Sequence, residues 1–281
     1  MLEISRRTLV LSAVAIALAS PVGAQVTTVP SPLSGKITLS GSTTVSPLIA
    51  EVGKRFETVH PGVRIDVQTG GSSRGINDAI KGLADIGMSS RALNDKEKAQ
   101  VASVTLANDG VALLVHATNP VADLSDAQVR ALYTGGIKNW KELGGKDAPI
   151  TVVNRADGRA ELEQFREYFK FDVADIKASL ISGENQHGIK TVAGDPNAVI
   201  YMSVGASEYA AASGEKVKLL RWNGIEATSA NVANGTLPVT RPLILAIREA
   251  SLSPLARAFV DYAKSPAVRD LVVQFGYVPL K

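Results

Sequence analysis

Four short segments draw on the same few residue types: Gly41-Ser42-Thr43-Thr44, Gly70-Gly71-Ser72-Ser73-Arg74-Gly75, Met88-Ser89-Ser90-Arg91 and Asn154-Arg155-Ala156-Asp157-Gly158-Arg159. Their chemistry suits capture of an anion. Serine and threonine supply short hydroxyl donors. Glycine lets the backbone approach a ligand closely. Arginine offers a planar fork of donors matched to a tetrahedral oxyanion. Where such a segment opens a helix, unpaired N–H groups and the positive end of the helix dipole act in the same direction. The plainer reading is that the hydroxyls cap helices and the glycines turn the chain. A single segment fits either reading, but four of them at the ends of strands favour anion capture. The candidate donors are Ser42, Thr43, Thr44, Ser72, Ser73, Ser90, Arg91, Arg155, Gly158 and Arg159.

Hydrophobic periodicity places these segments. Lys36–Ser40 reads as a strand ending at Gly41. Val45, Leu48, Ile49, Val52, Phe56 and Val59 keep helical spacing over about 46–59, with Pro61-Gly62 as the stop. The pattern then repeats. Val63–Thr69 is a strand, Ile76, Ala79, Ile80 and Leu83 mark a helix, and Ala84–Met88 is a short strand. Gly110–Ala117 is a strand, and Ser125 caps a helix carrying Val129, Leu132 and Tyr133. Ile150–Asn154 is a strand followed by a helix from about Arg159 to Phe171. Val199–Val204 and Leu243–Arg248 are further strands, and two helices close the chain. Strands alternating with helices imply an α/β fold with mainly parallel sheets. The three segments that follow β-type runs and the fourth after Ile150–Val153 all fall where such folds bind ligands.

The N-terminus speaks for export. Ser5-Arg6-Arg7-Thr8 precedes an apolar run from Leu9 to Ala19, and Val22-Gly23-Ala24 supplies small residues for cleavage near Ala24. The run is shorter than the roughly 20 residues of a spanning helix. The paired arginines are compatible with a twin-arginine signal as well as an ordinary secretory one. Residues 1–24 therefore read as a signal peptide, and 25–35 as a flexible leader. The remaining chain has 28 basic and 26 acidic residues, a net charge of +2. It has no run of five or more like charges, so it shows no footprint for nucleic acid or an anionic membrane.

Several chemistries find no foothold. With no cysteine, the chain can form no disulfide framework, thiolate metal site or cysteine-linked lipid anchor. His60, His116 and His187 are scattered without metal-ligand spacing, and His60 before Pro61 reads as a helix-end residue. No Walker loop or dinucleotide fingerprint occurs. An enzyme is not expected, nor any cofactor. Trp140 and Trp222 read as packing residues. The amphipathic stripes need no partner beyond the chain's own core, so a monomer is expected.

At this point the residues carry a resemblance. Gly41-Ser42-Thr43-Thr44-Val45-Ser46-Pro47, Gly70-Gly71-Ser72-Ser73 and Ala84-Asp85-Ile86-Gly87-Met88-Ser89-Ser90-Arg91 are similar to the substrate-binding family of phosphate ABC transporters, the PstS-like proteins. The likeness continues through Leu132–Trp140, Asn154-Arg155, Arg241-Pro242-Leu243 and Gly276-Tyr277-Val278-Pro279-Leu280. Each motif is weak alone, and the ordered set is specific. The resemblance implies a type II periplasmic-binding-protein fold, two α/β lobes each with a mixed sheet flanked by helices, closing on phosphate for delivery to an ABC permease and ATPase complex. Lobe one would hold 36–112 plus 240–281, and lobe two 113–239. By position, Ser42, Thr43, Thr44, Ser72 and Ser73 would contact the anion from lobe one and Arg155 from lobe two. The implied location is the periplasm.

Two departures bear on the ligand. The family usually continues the fourth turn as Gly-Ser-Gly-Thr, whereas this chain reads Gly158-Arg159-Ala160-Glu161. Two hydroxyl donors are gone and a carboxylate stands near the site. Arg159 could compensate, although an isolated surface arginine is expected to face solvent. Some members also place an Asp where Ser90 stands, to accept the proton of hydrogen phosphate. Here that acceptor would have to be Asp85 or Glu161, and it would serve a protonated oxyanion alone. Other readings therefore stay open: another oxyanion such as sulfate, molybdate or tungstate, a secreted phosphatase, or a sensor or adhesin that has lost tight binding.

Overall fold

The computed structural model describes residues 32–280, so the expected signal peptide and most of the expected leader lie outside the described residues. The chain opens with β1 (Ser34–Gly41) and α1 (Val45–Val59). Leu48, Ile49, Val52 and Phe56 form the buried stripe of α1. The helix ends at His60, whose N–H still bonds Phe56 at 2.9 Å, because a residue before proline disfavours helical backbone. β2 (Gly62–Thr69), α2 (Ser72–Lys81) and β3 (Ile86–Ser89) follow, then a one-turn α3 (Asp95–Lys98). β4 (Ala102–His116) is 15 residues long. Next come β5 (Asp123–Leu124) and α4 (Asp126–Tyr133), the latter opened by a reciprocal box in which Ser125 Oγ accepts from the Gln128 N–H and Gln128 accepts from the Ser125 N–H.

The second part continues with β6 (Thr151–Arg155), α5 (Ala160–Phe169), β7 (Leu180–Ser182), α6 (Asn185–Gly194) and β8 (Ala198–Ser203). α7 (Val204–Ala212), β9 (Val217–Leu219), β10 (Arg221–Trp222) and α8 (Ser229–Ala233) complete it. β11 (Thr240–Ile247), α9 (Pro254–Ala263), α10 (Arg269–Gln274) and β12 (Val278–Pro279) then return to the first part. Pro254 at the first turn of α9, behind the Ser253 cap, is a helix start that loses no internal hydrogen bond.

The strands run β2-β1-β3-β11-β4-β8-β6-β7. β4 is shared. Its residues 102–110 pair antiparallel with β11, and Val111–Val115 pair antiparallel with β8. Among the described residues five strand pairings are parallel and five antiparallel, so the sheets are mixed rather than mainly parallel. The cause is β4 and β11, which run against each neighbour and turn the alternating pattern back on itself.

Apolar residues gather on either side of that shared strand. Ile37, Leu39, Leu48, Phe56, Leu245 and Phe259 fill one core, and Leu113, Trp140, Phe165, Tyr201 and Trp222 another. Both tryptophans are at most 1% exposed, as expected of packing residues. A buried aromatic of this size contributes roughly 1.5–3 kcal/mol by area alone.

The elements differ from the sequence reading in a few places. β1 begins at Ser34, inside the expected leader, because Ser34 and Gly35 pair with Gly62 and Val63. β4 begins at Ala102 rather than Gly110; the alternation Ser103-Val104-Thr105-Leu106 is short, and Ala107, Asn108 and Asp109 interrupt it before the apolar run from Val111. The sequence reading does not mark α6 or α7: Gly188 and Gly194 weaken the first, and the small residues of the second leave it without an amphipathic stripe. Among the described residues no helix is long and apolar enough to cross a membrane.

Candidate anion-binding site

The sequence-selected residues meet where the two parts of the fold face each other. Gly41, at the end of β1, has φ +138°, and a Cβ there would lie 2.2 Å from the Met88 carbonyl. Its own carbonyl accepts from the N–H groups of Gly70 and Gly71, at 3.0 and 2.9 Å. This close packing holds the first three segments side by side. Ser42 Oγ donates to Ser90 Oγ at 3.0 Å, and Ser72 Oγ lies 3.4 Å from the same oxygen.

Some of these hydroxyls carry structural duty. Ser42 Oγ also accepts from the N–H groups of Thr44 and Val45, so it caps α1, and Ser72 Oγ accepts from the Ser90 N–H at 3.0 Å. Arg91 makes paired hydrogen bonds to Glu97 at 2.8 and 2.9 Å, a salt bridge to Glu163 at 2.5 Å and a bond to Ser73 Oγ at 3.2 Å. Ser73 also donates to Glu163 at 2.6 Å, and its N–H bonds the Gly158 carbonyl at 3.2 Å. Arg91 and Ser73 are thus committed to carboxylates at the seam.

From the second part, β6 delivers Arg155, which is 1% exposed. Its Nη2 donates to Asn185 Oδ1 at 2.7 Å, and its Nη1 reaches Ser182 and the Glu184 carbonyl at 3.4 and 3.3 Å, while Nε has no partner. Asn185, the first residue of α6, also accepts from Thr43 Oγ1 at 3.0 Å and donates to Thr44 Oγ1 at 3.1 Å. Thr44 Oγ1 in turn donates to Glu161 Oε1 at 2.9 Å. Glu161 stands in the first turn of α5, with its carboxylate inside the cluster at 2% exposure.

Arg241 completes the arrangement from β11. Its Nη2 donates to Glu161 Oε1 at 2.9 Å and to Asp109 Oδ2 at 2.8 Å. Burial opposes the charge on Glu161, but the guanidiniums of Arg241 and Arg155 outweigh it and hold the carboxyl at about 2. Burial lowers the Arg155 pKa, because its nearest carboxylate oxygen is 3.8 Å away; Arg241, in contact with two carboxylates, is raised despite its burial. Tyr277 ties the chain's end to the same place, its hydroxyl donating to the Thr44 carbonyl at 2.7 Å.

Two expectations are corrected. Arg159 does not face solvent. Its side chain is 12% exposed and paired with Glu184 at 3.2 Å, because the bare glycines Gly71 and Gly183 leave it a slot. Asp85 is not an acceptor in the site; it takes the Thr38 N–H at 2.8 Å on an exposed edge. Of the two carboxylates considered, Glu161 alone joins the cluster. The residues missed by sequence are Asn185 and the buried Asp109–Arg241 pair. Arg241 stood in a recognised motif, and Asp109 precedes Gly110 in a strand, but nothing in Gly183-Glu184-Asn185 marks Asn185 for this task.

Cavities of about 550 Å³ and about 180 Å³ touch the cluster, the first at Arg91 and Glu163, the second at Thr43 and Asn185. Among the described residues no group of three or more histidines and carboxylates is placed to hold a metal ion. The arrangement therefore offers hydroxyls, an amide and a buried guanidinium, all fit to grip an oxyanion contacted from both sides.

Comparison with known proteins gives a consistent picture. The PBP superfamily domain matches residues 26–267. The phosphate-binding protein PstS of Bacillus subtilis (strain 168) is 31% identical over 251 residues, covering 88% of this chain and 81% of that one. PstS of Pseudomonas aeruginosa PAO1 is 27% identical over 275 residues, with 88% and 84% covered. A phosphate-bound crystal structure from Clostridium perfringens, assigned as a phosphate ABC transporter substrate-binding protein, superposes with a TM-score of 0.82 at 36% identity, covering 88% of this chain and all of that one. An ABC-type phosphate transport receptor from Vibrio cholerae gives 0.70 at 31% identity, covering 87% of this chain and all of that one.

Proposed function

The chain belongs to the PBP superfamily and, within it, to the PstS-like phosphate-binding proteins, and from that premise we propose that it captures inorganic phosphate and delivers it to an ABC importer. The observation that carries this reading is Arg155. It is a buried guanidinium with one nitrogen unpartnered, set against Thr43, Thr44 and Asn185 at the seam. A desolvated cation of that kind is strongly stabilised by an anion that fills its open valence.

The contacts are assigned to Thr43, Thr44 and Ser72 from one lobe and Arg155 from the other. Ser42 and Ser90 orient the loop, and Gly158 and Arg159 close the far side. The lobes are 36–112 with 240–281, and 113–239, hinged where β4 and β11 pass from one to the other. An anion gripped by both lobes favours the closed form over the open one, the form an importer can recognise. The protein acts as a monomer and does no chemistry on its ligand. In support, His60 ends α1 and His116 bonds Thr118 at 2.8 Å, so neither serves the donor cluster as a base. Residues 1–24 address it for export to the periplasm, by the twin-arginine or the general route.

Thermal unfolding of refolded, anion-free protein tests the reading, with phosphate, sulfate, molybdate and tungstate titrated separately. A ligand that binds the folded state alone raises the midpoint. A selective shift with phosphate is expected. A shift with another member of the panel instead would reassign the site, an outcome that the carboxylate of Glu161 inside the cluster keeps open.

A further inference from the structure

We infer that Glu161 is a resident anion of this site, its carboxylate holding donors that phosphate takes, so that phosphate enters by displacing it from Thr44 and Arg155. The inference rests on the phosphate-binding reading and adds how the site is occupied and regulated.

Three observations carry it. The first is position. Thr44 follows β1, whereas Glu161 begins α5 in the other part of the fold, and the 2.9 Å bond between them spans the seam. The carboxylate thus does the bridging that a captured anion would do.

The second is charge. Arg155 and Arg241 face Asp109 and Glu161, two cations against two anions, all at most 2% exposed, and the neighbouring Arg159 is balanced by its own partner Glu184 at 3.2 Å. That group is neutral already. A divalent oxyanion added to it would leave two uncompensated negative charges out of water, which low-dielectric surroundings oppose strongly. If Glu161 swings away, the same anion meets a group with one spare positive charge.

The third is the way each arginine is held. Arg241 keeps Asp109 at 2.8 and 3.1 Å when Glu161 leaves, so it is not stranded. Arg155 has no such second carboxylate. Glu161 lies 3.8 Å from it without a hydrogen bond, and its Nε is unpartnered. The group that Glu161 satisfies poorly is the one an incoming oxyanion satisfies well.

Binding is then an exchange rather than an addition. The internal carboxylate favours closure without ligand and lowers the apparent affinity for ligand, as any competing state does.

Glu161→Gln and Glu161→Thr test this in the full mature chain. Glutamine keeps the shape and an acceptor for Thr44 and removes the charge; threonine also removes the bulk. Phosphate, sulfate, molybdate and tungstate are each titrated into the wild-type chain and both variants, by calorimetry and thermal unfolding. Both variants are expected to bind phosphate roughly tenfold or more tightly than the wild-type chain, the scale on which a nearby like charge shifts an ionic equilibrium. The ligand-free Glu161→Gln midpoint should fall, and its rise on adding phosphate should exceed that of the wild-type chain. If no anion in the panel binds either variant more tightly, Glu161 is no resident anion and is a structural ion-pair partner. If the variants tighten for another oxyanion that the wild-type chain also prefers, the exchange stands and the phosphate reading falls.

Discussion

Thr43 and Asn185 are joined by a 3.0 Å hydrogen bond across the seam, and Arg155 donates to the same amide oxygen at 2.7 Å. One side chain at the start of α6 therefore aligns a hydroxyl from one half of the molecule with a buried cation from the other. Donors that must act together on a small ligand are held before it arrives, which reduces the ordering that binding would otherwise demand.

Asn185→Ala is expected to loosen this alignment without disturbing the core. It removes a hydrogen bond to a charged group and unties Thr43. Phosphate affinity should fall roughly tenfold to a hundredfold, the usual scale for such a bond. Calorimetric titration checks it, and an unchanged affinity would mean Asn185 merely packs.

Arg155→Ala should weaken phosphate by roughly thirtyfold or more, since truncating one member of a buried charge pair leaves the other unpaired. Arg155→Lys should recover little, because a point charge cannot reproduce the fork that reaches Ser182 and Asn185 together. Equal affinity in the alanine variant and the parent chain would remove Arg155 from the site.

Arg241→Met is expected to cost about 3–5 kcal/mol of folding stability, because Asp109 and Glu161 would remain buried without their shared cation. Urea unfolding at neutral pH measures this. A loss under about 1 kcal/mol would mean that water or rearrangement relieves the two carboxylates.

Acid should expose the same group. The Glu161 carboxyl is held at about 2 against an ordinary value of 4.5. A lowered folded-state pKa gives stability that is fully present above the unfolded value and lost as pH falls through the folded one. The contribution should therefore disappear between pH 4.5 and 2. Glu161→Gln should show a shallower fall in the urea midpoint over that window than the parent chain, and parallel curves would contradict the assignment.

Gly41→Ala probes the scaffold rather than the ligand. The new methyl would sit 2.2 Å from the Met88 carbonyl at a φ of +138°. Backbone must move, and the bonds from Gly70 and Gly71 to the Gly41 carbonyl move with it. A loss of about 1–3 kcal/mol from strain alone is expected in thermal or urea unfolding, together with weaker phosphate binding.

Much of this was legible from residue types. The stripe of α1, the Ser125 start of α4 and the segments after β1 and β3 follow from local rules of period and capping, which act over a few residues. What depends on distant partners did not show. The first half of β4 has too short an alternation to mark a strand, and it is held by β11, more than a hundred positions away, so the sheet rather than the strand decides its pairing. Arg159 reads as a surface arginine until Gly71 and Gly183 open a slot for it. Asn185 belongs to no motif and gains its role from Thr43 and Arg155 alone. Glu161 was visible as a departure in the fourth turn, but its pairing with Arg241 needed the fold.

The placing of β11 has a bearing on how the molecule is made. It inserts between β3 and β4, yet it begins only at Thr240. A growing chain that has not reached that point lacks the central strand of its first sheet, so its earliest strands present open edges and cannot complete their core. Native pairing of such remote segments is slow, because a long loop must close first. Synthesis therefore runs nearly to its end before the first sheet can be completed.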